Sequence, residues 1–344
     1  MTGITAAKAV RVFLRSGRSS KNPNALCGAL WVKQTMSELD VQKIQEIIDI
    51  DKTRVKPFNG FIFLCGGPAD ITRPQPISLR DAIQRELAKC DNLCSRVKVA
   101  EDYKNWATDS IYGDLVAFES HLAELSSVIV LALESPGAIA ELGLFSALEE
   151  FQEKLLIFVD NAHYQADSFI RLGPIQYLEN RFQNNAHCHR FLVNGRAFDA
   201  SAAEELQSEM VQAITDRITA GGSEQAFDKD RWLHKALLLC DILNVYSALT
   251  IRELRDKLRA LGLDLSEVEL RQILYLLEQV DLLRMVPSGT QRFYVTLSSE
   301  DYLIHGAGNR IDFDRLRIDV IADYRLRDKK RFRAIQEVRR GALQ

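Results

Sequence analysis

The sequence predicts a doubly wound α/β domain followed by a smaller helical domain. Three observations lead there. From Gly60 onward, short apolar runs alternate with stretches of helical periodicity, the pattern of a parallel sheet covered on both faces. After a polar, Gly-containing stretch at Thr219–Asp230 the pattern changes to three helices and a hairpin. The 344 residues suit two domains at roughly 100–200 residues each.

The elements follow in order. "SELDVQKIQEIIDI" is a helix with Val41, Ile44, Ile47 and Ile48 on one stripe, within an N-terminal helical extension over 1–58. "FIFLC" (Phe61–Cys65) is a strand closed by Gly66-Gly67-Pro68, and "SLRDAIQRELAKC" puts Leu79, Ile83 and Leu87 on one helical face. "RVKVA" is the second strand, "GDLVAFESHLAELS" a helix, and "VIVLAL" (Val128–Leu133) a fully apolar strand. A helix through Glu141 comes next. "KLLIFVD" is then a strand, "PIQYLENRF" a short helix, "RFLVN" the final strand and Ala200–Ala220 the last helix of a domain over 59–220. Ligands of such a sheet lie beyond the carboxyl ends of its strands.

Thr219–Asp230 reads as a linker. Beyond it, 221–308 holds the helix "RWLHKALLLCDILNVYS" and two helices opened by capping boxes, Thr250 to Glu253 and Ser266 to Glu269. A hairpin follows around Pro287-Ser288-Gly289-Thr290. That is the order of a winged helix-turn-helix domain. Its would-be recognition helix, Ser266–Val280, has Glu267, Glu269 and Glu278 against Arg271, which is poor for lying among phosphates. Nucleic-acid contact falls instead to Arg284 and Arg292 on the hairpin and to a basic C-terminal tail over 309–344. There Arg325–Arg340 has eight Lys/Arg against two Asp/Glu, with Lys329, Lys330 and Arg331 at its centre. The competing reading is that this domain packs on protein, either a second copy or a partner.

Composition narrows the class. A hydrophobic share of 47% supplies a core, and a net charge of −3 gives no bulk attraction to nucleic acid. The six cysteines read as free thiols in a reducing cytoplasm, and no ligand pair backs the His187-Cys188-His189 run as a metal site. No segment approaches the ~18 apolar residues of a membrane span, and no signal peptide is expected.

One carboxylate stands out. Between Glu134 and Glu149 the only charged residue is Glu141, in an otherwise apolar segment. Ser135 suits the N-cap of its helix and Pro136 the first position. The turn Pro136-Gly137-Ala138 has no bulky side chain, so its backbone N–H groups could receive an anion. A charge so placed is costly without partners. Either it pairs within the fold or it has a chemical task.

The layout resembles nucleoside 2-deoxyribosyltransferases and their relatives, whose sheet is of the flavodoxin type. The resemblance covers roughly 60–220. The Gly-rich turn after the first strand corresponds to Cys65–Pro68. The acidic residue on the helix before the third strand corresponds to Asp114. The central signature is Ser135, Gly137, Glu141, Leu142 and Gly143, with Gly137-Ala138 where the usual form has Gly-Thr. In that family the glutamate attacks or stabilises the sugar C1′ as the N-glycosidic bond breaks. The resemblance therefore implies Glu141 and Asp114 as catalytic residues. Gly66, Gly67, Ser135 and Gly137 would lie at the substrate; by residue type, Tyr103, Asn105, Trp106 and Tyr112 of the loop after the second strand either stack on a base or nicotinamide ring or pack on the core.

A deoxyribosyltransferase-like domain, a helical extension and a winged helix together resemble the effectors of bacterial retron defence systems. That implies a toxin cleaving NAD or nucleotides. It implies as partners a reverse transcriptase with its branched RNA–DNA, which holds the effector inactive, and assembly into a homo-oligomer or filament. No cofactor is expected, since NAD or a nucleotide is substrate. Nicotinamide leaves as a neutral molecule and needs no general acid, and the sequence shows no dedicated acid, which favours NAD. The alternative is a nucleotide-sensing, DNA-binding regulator without turnover.

Overall fold

The structure is a computed structural model that describes residues 41–106, 111–306 and 312–341; the side chains of residues 41–43 and 104–106 lie outside that description. Of the N-terminal extension, residues 1–40 therefore fall outside it.

The chain runs through α1 (Val41–Ile47), β1 (Arg54–Val55), β2 (Phe61–Cys65), α2 (Leu79–Leu87), β3 (Val97–Lys98), α3 (Leu115–Glu124) and β4 (Ser126–Ala132). It continues with α4 (Pro136–Ala147), α5 (Glu149–Gln152), β5 (Leu155–Asp160), α6 (Asn161–Tyr164), α7 (Gln176–Phe182) and β6 (His187–His189). Then come β7 (Leu192–Val193), β8 (Ala197–Phe198), α8 (Ala200–Ala220) and β9 (Gln225–Ala226).

Strands β2 to β6 form one parallel sheet in the order β3-β2-β4-β5-β6. Successive residues serve opposite faces, as a pleated strand requires. Phe63, Ile129, Leu131, Ile157 and Val159 meet Phe118 of α3 and Leu142 and Phe145 of α4. Ile62, Leu64, Val128, Val130, Leu156 and Phe158 meet Leu79 and Ile83 of α2 and Met210 and Ile214 of α8. Both faces are covered, which is why these strands read as unbroken apolar runs. The chain reverses its direction of winding between β2 and β4, so a crevice opens at their carboxyl ends.

Two expectations within this half change. "RFLVN" is not the last strand of the sheet. His187–His189 takes that place, and Leu192–Val193 pairs instead with Ala197–Phe198. The cause is Asp160, 1% exposed at the end of β5. Its Oδ2 accepts the N–H groups of Phe191 (2.9 Å) and Leu192 (2.8 Å), turning the chain out of the sheet. The stretch Thr219–Asp230 is also more than a linker. Within it β9 pairs antiparallel with β1, which pairs on its other side with β13 (Leu303–Ile304).

The C-terminal half has α9 (Trp232–Tyr246), β10 (Ala248–Leu249), α10 (Ile251–Ala260), α11 (Glu267–Gln279), β11 (Leu283–Ser288), β12 (Gln291–Thr296), β13, α12 (Phe313–Arg327) and α13 (Lys329–Gly341). Strands β10, β12 and β11 form an antiparallel sheet in that order. The two-residue turn Gly289-Thr290 joins β11 to β12, and Gly289 supplies its positive φ of 64°. The Thr250–Glu253 capping box forms in full. Ser266 caps α11, but Glu269 turns away to pair with Lys235.

Helix α9 joins the halves. Nearly all of it is buried, in one core that also contains α3, α4, α10 and α11. Trp232 stacks on His121 of α3, and the Leu233 N–H donates to Glu124 at 2.9 Å. The segment expected as a basic tail folds into α12 and α13. Ala334, Ile335 and Val338 of α13 lie in a core with Val286, Phe293 and Val295 of the small sheet.

Candidate active site at the crevice between β2 and β4

The crevice floor is built by a carboxylate the sequence reading passed over. Glu134 directly follows the β4 region, and its two oxygens accept from the N–H groups of Gly67 (2.9 Å), Leu79 (2.6 Å) and Arg80 (2.9 Å). The Gly66-Gly67 turn and the first turn of α2 thus already hold an internal anion, the natural ligand of free backbone N–H groups. Both glycines are needed for that closeness. A Cβ on Gly66 would stand 2.7 Å from the Arg80 Cβ, and one on Gly67 would stand 3.0 Å from the Glu134 carboxyl. Their space goes to Arg80 and Glu134, not to a phosphate cradle.

Ser135 ties the next turn. Its Oγ donates to Gly66 O (3.1 Å) and accepts from Ala138 N (3.2 Å), starting α4. Gly137 is exposed in that first turn, and a Cβ there would meet only Ser135 Oγ at 3.8 Å. One turn on, Glu141 points back into the fold. Its Oε2 is buried and has no hydrogen-bond partner among the described residues. Burial raises its carboxyl above the usual range, a contact with the Cys65 thiol lowers it, the nearby charge of Glu101 raises it and Arg80 lowers it. Cys65, at the end of β2, is itself buried and its thiol is pushed well up, by burial first and then by the charges of Glu141 and Glu119.

Glu119 comes from α3, on the helix expected to supply an acidic residue. It is 8% exposed, and burial and then the charges of Glu141 and Glu101 push its carboxyl up to about 7. The charge of Glu141 thus opposes ionisation of Glu119, and among the described residues neither carboxyl has an ion-pair partner within bonding distance. Beside them Arg80 binds Glu101, its Nη1 donating to both carboxylate oxygens at 2.8 and 3.0 Å. Arg80 and Glu101 line a cleft of about 460 Å³ together with Pro68, Gln84 and Val99.

The other expected residues fall as follows. Asp114 is an exposed N-cap of α3, its carboxylate accepting from Ala117 N at 2.8 Å, so the acid that α3 presents to Glu141 is Glu119. Tyr103 is buried with its ring edge-on to Phe118, so of its two expected roles it takes core packing and not base stacking. The side chains of Asn105 and Trp106 lie outside the described residues. Far from the crevice in sequence, Arg284 is exposed beside Asp281, and Arg292, Lys329 and Lys330 are exposed. Arg331 is not free for nucleic acid. It is buried, pairs with Glu253 (2.6 Å) and Asp328 (3.1 Å), donates to Ala248 O and lies over the rings of Phe293 and Tyr324.

Glu119, Glu134, Arg80 and Glu101 were missed. Glu119 gave no distinct signal, since its helix "VAFESHLAEL" also carries Ser120, His121 and Glu124. Glu134 had one, a charge at the carboxyl end of a buried strand.

Similarity to known proteins adds to this geometry. A family model described as "STM3845 retron effector protein" matches residues 76–285, more than half of the chain and all four of these residues. The chain is 28% identical over 272 residues, 76% of its length and 83% of the relative's, to an Escherichia coli protein named "Retron Ec86 putative ribosyltransferase/DNA-binding protein". It is 25% identical over 225 residues, 59% of its length and 69% of the relative's, to the retron Ec73 protein of the same description and organism.

Proposed function

Because the chain belongs to the STM3845 retron effector family, we propose that it is the toxic effector of a retron anti-phage system and acts by cleaving N-glycosidic bonds of NAD or nucleotides. The observation that carries the chemistry is the buried, unpartnered Glu141 Oε2 beside a second carboxyl, at the carboxyl end of β2 and β4. A sugar losing its base passes through an oxocarbenium-like state, positive at C1′ and the ring oxygen. An ionised carboxylate without an internal cation is set up to stabilise that charge or to trap C1′ covalently. Glu141 has that role. Glu119, protonated near neutrality, is the acid that protonates a departing base; water or an acceptor hydroxyl then takes the sugar. With an acid present, the preference for nicotinamide as the leaving group weakens, and purine or pyrimidine nucleotides stand level with NAD. The ribosyltransferase description of the relatives supports sugar transfer as the reaction type.

The C-terminal half, with its helix–strand–helix–helix–hairpin order, is read as a winged helix. It joins the effector to a reverse transcriptase and its branched RNA–DNA, which hold the chemistry in check. The exposed Lys329 and Lys330 of α13 and Arg284 and Arg292 of the hairpin are its nucleic-acid face.

The test is a chromatographic and mass-spectrometric assay of the full chain with NAD, deoxynucleotides and nucleosides, alone and in cells under phage infection. Free base or nicotinamide should appear with the wild type and fall at least a hundredfold with Glu141→Gln. Undiminished release from a folded Glu141→Gln protein would sink the assignment. Binding without release in either setting would favour the regulator that senses nucleotide without turnover.

A further inference from the structure

The backbone N–H groups of Gly67, Leu79 and Arg80 are not free for a substrate phosphate, because Glu134 occupies them. The acidic groups Glu119 and Glu141 offer no cation to a phosphate at the reacting end. One group in the adjoining cleft answers to an anion. Arg80 is the sole cation among the cleft's lining residues.

Arg80 is held in place but incompletely used. The residue is 6% exposed, yet its Nε is buried with no hydrogen-bond partner among the described residues, and all its described guanidinium bonds run from Nη1 to Glu101. Gln84, one helical turn on and also lining the cleft, leaves its side-chain oxygen buried and unpartnered; its amide can rotate to present N–H. The two partners of the ion pair differ sharply. The Glu101 side chain is 56% exposed, against 8% for Arg80. Glu101 can swing into water at little cost, whereas Arg80 cannot leave. A phosphate brings more charge and a geometry matched to the guanidinium fork. The cleft's volume of about 460 Å³ is in the range of small-molecule sites.

We propose that this cleft is a phosphate subsite in which Glu101 holds the place on Arg80 that a substrate phosphate takes, so that the chain acts on a phosphorylated nucleotide and not on a free nucleoside. The inference rests on Glu141 being the group that meets the sugar. Phosphate on Arg80 then directs the sugar toward Glu119 and Glu141, and the reverse pose would leave the phosphate beside acids without a cation.

The experiment measures binding to full-length Glu141→Gln protein by calorimetry, using the matched pairs adenosine/AMP and thymidine/dTMP. At least one nucleotide should bind tenfold or more tightly than its nucleoside, with an affinity that weakens as salt rises. Adding the surface change Glu101→Gln should tighten that nucleotide about fivefold and leave its nucleoside unchanged. Arg80→Gln should erase the difference between the two; circular dichroism checks its fold, and the Glu101→Gln result stands without it. Equal affinity within both pairs, or an equal effect of Glu101→Gln on nucleotide and nucleoside, overturns the phosphate subsite and leaves Glu141 chemistry standing. No binding of any of the four overturns the phosphate subsite, while the Glu141 chemistry is judged by base release.

Discussion

Glu119 and Glu141 form a pair whose meaning is electrostatic. Glu119 titrates near 7 in the fold, against an ordinary 4.5, because burial and the charge of Glu141 both oppose its ionisation. On the proposed chemistry its acid form is the working form, so activity needing a protonated leaving group should be lost as pH rises through about 7. For a purine or pyrimidine substrate, kcat/KM should fall about tenfold per pH unit on that limb, and Glu119→Gln should remove the limb at a lower overall rate. With NAD as substrate the limb should be absent; a pH–rate profile for each substrate decides. The same shift has a stability sign. A carboxyl raised in the fold stabilises it below the unfolded pKa, and that contribution disappears as pH rises to the folded one. Glu119→Gln should therefore be more stable relative to wild type at pH 8 than at pH 4, by about 2 kcal/mol after allowance for its residual solvent contact. Urea titrations at the two pH values measure it.

Helix α13 divides its basic residues by face. Arg331 points inward and satisfies Glu253, Asp328 and the Ala248 carbonyl, so Arg331→Ala removes a buried cation together with its two ion pairs and its packing on two rings. A loss of about 3 kcal/mol in denaturant stability is expected. Lys329 and Lys330 point outward and make no ion pair among the described residues. Replacing both by Ala should change stability by less than about 0.5 kcal/mol. It should weaken binding to the branched RNA–DNA and reduce the salt slope by about 2, one per phosphate contact. An unchanged slope would remove α13 from the nucleic-acid face.

The described residues form one compact unit. Helix α9 is shared by both halves, and the β13-β1-β9 ribbon binds the two ends of the described chain to the middle. Asp241 of α9 anchors that ribbon. It is fully buried, accepts from Tyr302 N (2.8 Å) and Leu303 N (3.0 Å), and lies 3.1 Å from His305 Nε2. Asp241→Ala should cost about 3 kcal/mol, because it leaves two buried N–H groups and a histidine unpaired. Since the core is continuous, that loss should lower a single unfolding transition seen alike by tryptophan fluorescence and far-ultraviolet circular dichroism. A C-terminal transition separating from that of the parallel sheet would show the halves to be independent.

Sequence alone determined the parallel sheet, its helices and the unusual setting of Glu141. Strands buried on both faces must be continuously apolar, and a lone charge in such a segment is conspicuous because its desolvation is costly. The hairpin turn at Gly289 was legible for a similar reason, since a positive φ asks for glycine. Tertiary structure decided the rest. Glu119, Arg80 and Glu101 sit on ordinary amphipathic or polar segments, and only the fold turns them toward one crevice. Asp114 and Arg331 looked available in sequence, yet one caps a helix and the other is enclosed by a carboxylate and two rings. The exit of the chain after β6 depends on Asp160 meeting two N–H groups some thirty residues away. Periodicity records which side of an element is buried; it does not record what that side is buried against, and the chemistry here depends on the second.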